Sequence, residues 1–295
     1  MQCKFCGSNE VLIIYDGMIR NGGLGQYTKK SIPVFQCNSC GIIWHENQFA
    51  DMNNYYESKE YRQSLEGGTE EALFYELHDK ETLDKLRYTG TDIFRGKTVA
   101  DIGCGAGAFL DFIVGVAKKV VAVEPSQFYR DIMERKGFSV YAYADYALKE
   151  YRDGVDVITS FDVIEHVDNP RSFIENIYEL LVKGGRAIVG TPTDAPVMRS
   201  LLGEVYEKKL LFSTQHIWIF SEKNLRLLAE EQGFKNISFK YFQRYGIGNM
   251  LGWVKDKKPG TAVEDEFITA ALDGVWRGQL SDKKLADYIV MYLEK

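Results

Sequence analysis

Few folds accommodate residues 98–107, Thr-Val-Ala-Asp-Ile-Gly-Cys-Gly-Ala-Gly. A short apolar strand runs directly into glycines at alternate positions, Gly103, Gly105 and Gly107. Glycine reaches positive φ at little steric cost, so the chain can bend sharply out of a buried strand and let a ligand approach its backbone. The stretch 109–116 is apolar with helical spacing, and the free N–H groups at the start of such a helix suit a carboxylate. Residues 120–123 form a second strand that ends at Glu124-Pro125.

The same alternation continues. Ser126 caps a helix to about residue 136, stopped by Gly137. Strands are expected at 139–143, 155–161 and 186–190, with a helix from Pro170 to Lys183-Gly184-Gly185 before the last of them. A helix at 221–232 and a strand at 237–242 complete the pattern. Strands alternating with helices at this pitch predict an α/β protein, a parallel sheet with helices on both faces. Upstream, residues 50–92 are rich in Tyr, Glu and Lys. Leu73, Leu77, Leu83 and Leu86 fit helical spacing there, and Gly67-Gly68 divides two expected helices. Beyond Tyr245 the spacing predicts two weak helices, 264–272 and 281–293.

Gly103-x-Gly105-x-x-Ala108 with Glu124 downstream also fits a loose dinucleotide fingerprint. Asp101, one residue removed from a GxGxG core, favours a different nucleoside ligand, and two later motifs agree. Residues 97–242 resemble the class I S-adenosylmethionine (SAM)-dependent methyltransferases, which have a Rossmann-like sheet. Phe161-Asp162-Val163-Ile164-Glu165-His166-Val167 resembles that family's motif after strand 4, and Leu180-Leu181-Val182-Lys183-Gly184-Gly185 its turn before strand 5. The resemblance implies that Asp101, Gly103, Gly105 and Gly107 surround the methionine part of SAM, with Cys104 a small loop residue among them. It implies that Glu124 holds the ribose beside Pro125 and Ser126. Asp145 is the candidate for the adenine amino group, with a turn cap as the alternative. Phe161 and Asp162 are candidates for the cofactor cleft, Phe161 with a plain core role as the alternative.

Cys3-x-x-Cys6-Gly and Cys37-x-x-Cys40-Gly are near-identical knuckles separated by 30 residues. Four thiolates complete a closed tetrahedral shell, so a structural zinc is expected, and the segment resembles a zinc ribbon. The fifth cysteine, Cys104, lies elsewhere, which is metal-site usage of cysteine and not a disulfide framework. Residues 1–50 carry four Lys/Arg against three Asp/Glu, and the whole chain has a net charge of −6. Neither favours a phosphate backbone as partner. A nucleic-acid methyltransferase guided by the ribbon is the alternative class, and a substrate lid or a homodimerisation element is the expected use of the module. No apolar run is long enough to span a bilayer. Met1-Gln2-Cys3-Lys4 leads straight into a knuckle, so a cytoplasmic protein is expected.

Methyl transfer to a hydroxyl is helped by a base. His166, with Glu165 beside it, is one candidate; Asp162, Glu165 and His166 would share a helical face at i, i+3, i+4. His216 is the other. Its stretch, Thr214-Gln215-His216-Ile217-Trp218-Ile219-Phe220-Ser221, resembles a motif of sugar and secondary-metabolite methyltransferases with N-terminal zinc modules, in which Glu-His stands where this chain has Gln215-His216. The sugar C-methyltransferases among them carry a further large C-terminal domain, for which 295 residues leave no room. O-methylation of a sugar or nucleotide-sugar is therefore the expectation. Residues 243–260 resemble tails of methyltransferases of surface-polysaccharide assembly. The expected organisation is a zinc ribbon at 1–48, a helical linker or lid at 49–92, a methyltransferase domain at 93–243 and a helical extension at 244–295.

Overall fold

The computed structural model describes residues 1–49, 52–58 and 71–295; the expected division at Gly67-Gly68 lies outside them. The chain forms two compact units. The first contains residues 1–48, 191–225 and 239–290; the second contains 49–190, 226–238 and 291–295.

In the first unit β1 (Val11–Gly17), β2 (Ile32–Cys37) and β3 (Ile43–His45) are joined by the two-residue strand Trp218–Ile219, here β9, in the order β1-β2-β3-β9. β3 pairs antiparallel with β9, Ile43 opposite Ile219 and Trp44 opposite Trp218. Residues 1–48 therefore do not complete their sheet alone. Ile19, Val34, Ile43, Phe212 and Trp253 belong to one buried core of this unit.

The second unit carries the expected α/β alternation. It opens with α1 (Met52–Glu57) and α2 (Glu71–Thr89). There follow β4 (Thr98–Ile102), α3 (Ala108–Ile113), β5 (Lys119–Val123), α4 (Gln127–Arg135), β6 (Ser139–Tyr141) and α5 (Ala144–Tyr151). β7 (Val155–Phe161), α6 (Pro170–Leu180) and β8 (Leu181–Pro192) complete it. β4 pairs parallel with both β5 and β7, and the registers set Asp101 opposite Ala122 and Thr159. Parallel strands are covered on both faces and so read as apolar runs; Val99 and Ala100 are fully buried. α6 begins with Pro170 at its first turn, and the Asn169 side chain accepts from Arg171 N and Ser172 N.

After α7 (Pro196–Leu202) and α8 (Glu204–Tyr206) come α9 (Glu222–Glu231), β10 (Lys235–Phe242), α10 (Ile247–Asp256), α11 (Ala270–Asp282) and β11 (Tyr288–Glu294). The large sheet has seven strands in the order β10-β11-β8-β7-β4-β5-β6. β11 runs opposite to β8, since Gly184 N meets the Lys295 carbonyl and Thr193 N meets the Asp287 carbonyl. The sheet is thus mixed, a parallel body with one antiparallel strand.

Several expectations are corrected. The helix expected at 281–293 is the end of α11 followed by β11, so the extension 244–295 is not purely helical. Ile289, Val290 and Met291 are fully buried, and a β-branched run buried on both faces is stable as a strand. The helix expected at 264–272 starts only at Ala270, where the Thr269 hydroxyl accepts from Leu272 N at 3.2 Å. α10 was not expected because Gly248 and Gly252 lower helix propensity. A Cβ at Gly252 would lie 2.6 Å from the Thr261 carbonyl, so close approach requires the glycine. α2 exists, but its expected leucine stripe is not its buried face. Leu77 and Leu83 are exposed, whereas Phe74 and Thr82 are buried. Ser126 stands at the N-cap of α4 without a side-chain capping bond.

Candidate active site

The glycine turn leaves β4 as expected. Gly103 and Gly107 have φ of 79° and 84°, and the Gly103 and Cys104 amides donate to the Val123 carbonyl, tying the turn to β5. A Cβ on Gly103 would sit 2.1 Å from Val163 Cγ2, so this position needs glycine for both conformation and space. α3 is shorter than expected and ends at Ile113.

Glu124 follows β5. One carboxylate oxygen accepts from Gly105 N and the other from Ser126 N, both at 2.9 Å. The residue faces a cavity of about 500 Å³. Gly103, Glu124, Pro125, Asp145 and Asp162 all line that cavity, with His166 in its wall. They lie at or just beyond the carboxyl ends of β4, β5, β6 and β7, where open α/β sheets bind ligands. Asp145 is in the first turn of α5.

Other expected residues surround the cavity without lining it. Asp101 is 3% exposed and accepts from the Thr159 hydroxyl at 2.6 Å. Burial pushes its carboxyl up to about 6, against the opposing pull of Lys85 and of the Thr159 bond. Gly105 and Ser126 act through their amides on Glu124, and Gly107 closes the turn onto the Cys104 carbonyl at 2.9 Å. Cys104 is buried, its thiol against the Val123 carbonyl and Met133; burial pushes that thiol well up, which makes it inert. Phe161 takes the core alternative, between Tyr88 and Phe109 at ring distances of 6.0 and 6.1 Å.

Residues 162–166 form a turn and not a helix, with Asp162 at φ 58°. The expected shared helical face of Asp162, Glu165 and His166 is therefore absent. Asp162 and His166 line the cavity, and Glu165 is buried with Oε1 3.9 Å from His166 Nε2. Several lining residues escaped sequence reasoning, Tyr56 and Tyr143 among them. Tyr56 of α1 pairs its hydroxyl with His166 Nδ1 at 2.9 Å, and the Tyr143 hydroxyl donates to Glu57 at 2.7 Å. The tyrosine-rich run at 55–56 was the available signal, but nothing local says which wall it meets. His216 lies in the first unit, half-buried, its amide donating to Ser213 at 3.2 Å.

The four cysteines come together in the first unit, their sulfurs within 4.8 Å of one another. Cys3 and Cys40 sulfurs are 3.9 Å apart and those of Cys6 and Cys37 are 3.6 Å apart. Tetrahedral bonds of about 2.3 Å to zinc require roughly 3.8 Å, so the donor set fits. Gly7 and Gly41, at φ 74° and 79°, turn each knuckle. His45 is a packing residue: it is 4% exposed, and its ring nitrogens face the carbonyls of Glu46 and Ser213.

A seven-stranded mixed sheet with a glycine turn after β4 and an acid after the neighbouring β5 is the Rossmann-like methyltransferase architecture. The family model described as a methyltransferase domain matches residues 73–239, more than half of the chain. The chain belongs to that family. Solved SAM-dependent methyltransferases share the fold. One from Archaeoglobus fulgidus superposes with a TM-score of 0.51 at 19% identity, covering 76% of this chain and 99% of that one. One from Thermotoga maritima gives 0.52 at 19%, covering 83% and 100%. Among relatives, the mitochondrial ubiquinone biosynthesis O-methyltransferase of Schizosaccharomyces pombe is 27% identical over 201 residues, 65% of each chain. The ubiquinone biosynthesis O-methyltransferase of Nitrosococcus oceani is 27% identical over 157 residues, 50% of this chain and 66% of its own. Both matches fall just short of two thirds of the relative's length. Neither relative is named for sugar or polysaccharide chemistry. Among the described residues no helix is long and apolar enough to cross a membrane.

Proposed function

We propose that this chain methylates a hydroxyl oxygen of a small-molecule acceptor, using SAM as donor. One observation carries the reading: a single cavity is lined by Gly103, Glu124 and His166 together. The Gly103 cradle, which a Cβ would fill, and the Glu124 carboxylate at the cavity fit a nucleoside with an amino-acid arm. SAM held there would supply an electrophilic methyl carbon: the acceptor oxygen would form its new O–C bond in line as the S–C bond breaks and the neutral thioether leaves. Glu124 fixes the ribose hydroxyls, and the backbone of the turn meets the methionine part. The walls exclude water and hold the acceptor in line. The acceptor proton passes to an imidazole, His166 in the cavity wall or His216 from the motif it resembles.

The relatives' names support a hydroxyl acceptor. The resemblance around His216 supports a sugar or nucleotide-sugar, and Ser172 and Asn176 in the lining are polar groups suited to such an acceptor. The four cysteines are assigned a structural zinc. Calorimetry should show uptake of SAM and none of a nicotinamide coenzyme; the reverse would overturn the reading. Nucleotide-sugars and other hydroxylated small molecules, screened with SAM for a mass gain of one methyl, assign the acceptor. His166→Asn and His216→Asn, measured separately, assign the base.

A further inference from the structure

The segment 213–216, which carries His216, is built into the cysteine module through hydrogen bonds within the first unit. Arg20 brackets it through the backbone. Its amide donates to the Phe212 carbonyl at 3.0 Å, and its carbonyl accepts from Thr214 N at 2.9 Å. The Thr214 hydroxyl donates to Asn21 Oδ1 at 3.0 Å. From β3, His45 Nε2 reaches the Ser213 carbonyl at 2.8 Å, and the His45 amide donates to the Ile217 carbonyl at 3.3 Å. The strand pairing of β3 with β9 continues this line. Ser213, Thr214 and Gln215 are all buried.

His45 is in turn tied to the knuckles. β2 ends at Cys37, Cys40-Gly41 leads into β3, and Val34 pairs with His45 across the two strands. The second knuckle is thus the turn of the hairpin whose far end is His45. Asn224 holds the knuckle from outside, its side-chain amide donating to the Cys40 carbonyl at 2.9 Å.

We propose that the four-cysteine module positions the segment 213–216, and that His45 is the positioning residue through which a metal-held hairpin sets where the His216 imidazole stands. The proposal rests on the reading that His216 takes part in methyl transfer. A carbonyl only accepts, so the ring must donate from Nε2 to hold Ser213. A side chain without that donor leaves the buried Ser213 carbonyl with the longer bond from the His216 amide, at 3.2 Å, and removes the bond that ties it to β3. The cofactor turn at 103–107 belongs to the other unit and does not depend on this hydrogen bond. Loss of the latch therefore lowers turnover without weakening the uptake of SAM.

The test uses the full, metal-loaded chain. In His45→Ala, amide exchange at residues 213–217 should rise on the order of tenfold or more. The turnover number should fall by a similar factor, while the SAM dissociation constant and zinc content stay at wild-type values. His45→Gln, which keeps an N–H donor, should recover most of both losses; a merely structural role predicts no such rescue. Unchanged exchange and turnover in His45→Ala would overturn the proposal. Should that variant fail to fold, Thr214→Val removes the hydroxyl bonds to Asn21 and Gln215 and reads the same segment, with unchanged exchange again the refuting result. His216→Asn separates the two ideas. Full turnover there would refute the role of His216, while the exchange measurements would still decide whether the module holds the segment.

Discussion

Replacing Gly103 with alanine tests the cofactor turn where its geometry is most demanding. The residue sits at φ 79°, a conformation that costs an L-residue about 1–2 kcal/mol. The new Cβ would lie 2.1 Å from Val163 Cγ2, and such overlap in a packed site costs about 1–3 kcal/mol. Gly103→Ala should therefore destabilise the chain by about 2–5 kcal/mol. Val163→Ala alone removes half-buried methyls and should cost about 1 kcal/mol. In the double variant the overlap is gone, and only the backbone strain and the lost methyls remain, about 2–3 kcal/mol together. Urea unfolding of the three variants and the wild type completes the cycle. The expected coupling is about 1–3 kcal/mol, with the double variant more stable than the sum of the singles predicts. SAM affinity should follow the same order. Single losses that add to within about 0.5 kcal/mol would refute steric exclusion by Val163.

Asp101 should make stability depend on pH. Its carboxyl is pushed up to about 6 by burial, whereas an unfolded aspartate titrates near about 3.9. The folded chain holds the extra proton between those values, so this group favours folding at low pH and costs on the order of 3 kcal/mol above about pH 6. Asp101→Asn should be the more stable protein at pH 8 and lose that margin by about pH 4; unfolding curves with a margin independent of pH would count against the buried anion. Glu124→Gln sets an NH2 group against the Gly105 or Ser126 amide, and should weaken SAM binding about tenfold or more by calorimetry; unchanged affinity would remove Glu124 from the ribose role. The chain should purify with one zinc per four cysteines, and a chelator should raise amide exchange in β1, β2 and β3 while β4, β5 and β7 stay protected. Undisturbed exchange after metal loss would deny the ion a structural role.

The sheet body was legible because its signals are local. Each parallel strand is a short apolar run ended by a turn residue, and Gly103, Gly107 and Glu124 act within a few residues of their strand ends. The cysteine knuckles were equally legible, since spacing alone sets four thiols into two turns. β11 was not, because Tyr288–Glu294 carries no turn signal beside it and an apolar run of that length suits a helix or a strand. The buried face of α2 was misread for a related reason. Leucine spacing defines a stripe, but the neighbouring Ala106, Tyr129 and Ile132, distant in sequence, select Phe74 instead.

The amino-acid sequence by itself determined the alternation of strands and helices, the bend at Gly103 and the cysteine donor set, all products of short-range sterics and hydrophobic period. Only the tertiary structure decided that Phe161 and Cys104 turn into the core, that Tyr56 meets His166, and that His45 holds the segment before His216. Those outcomes depend on hydrogen bonds and packing between residues separated by tens to hundreds of positions, and no local preference encodes which distant partner a buried group will find.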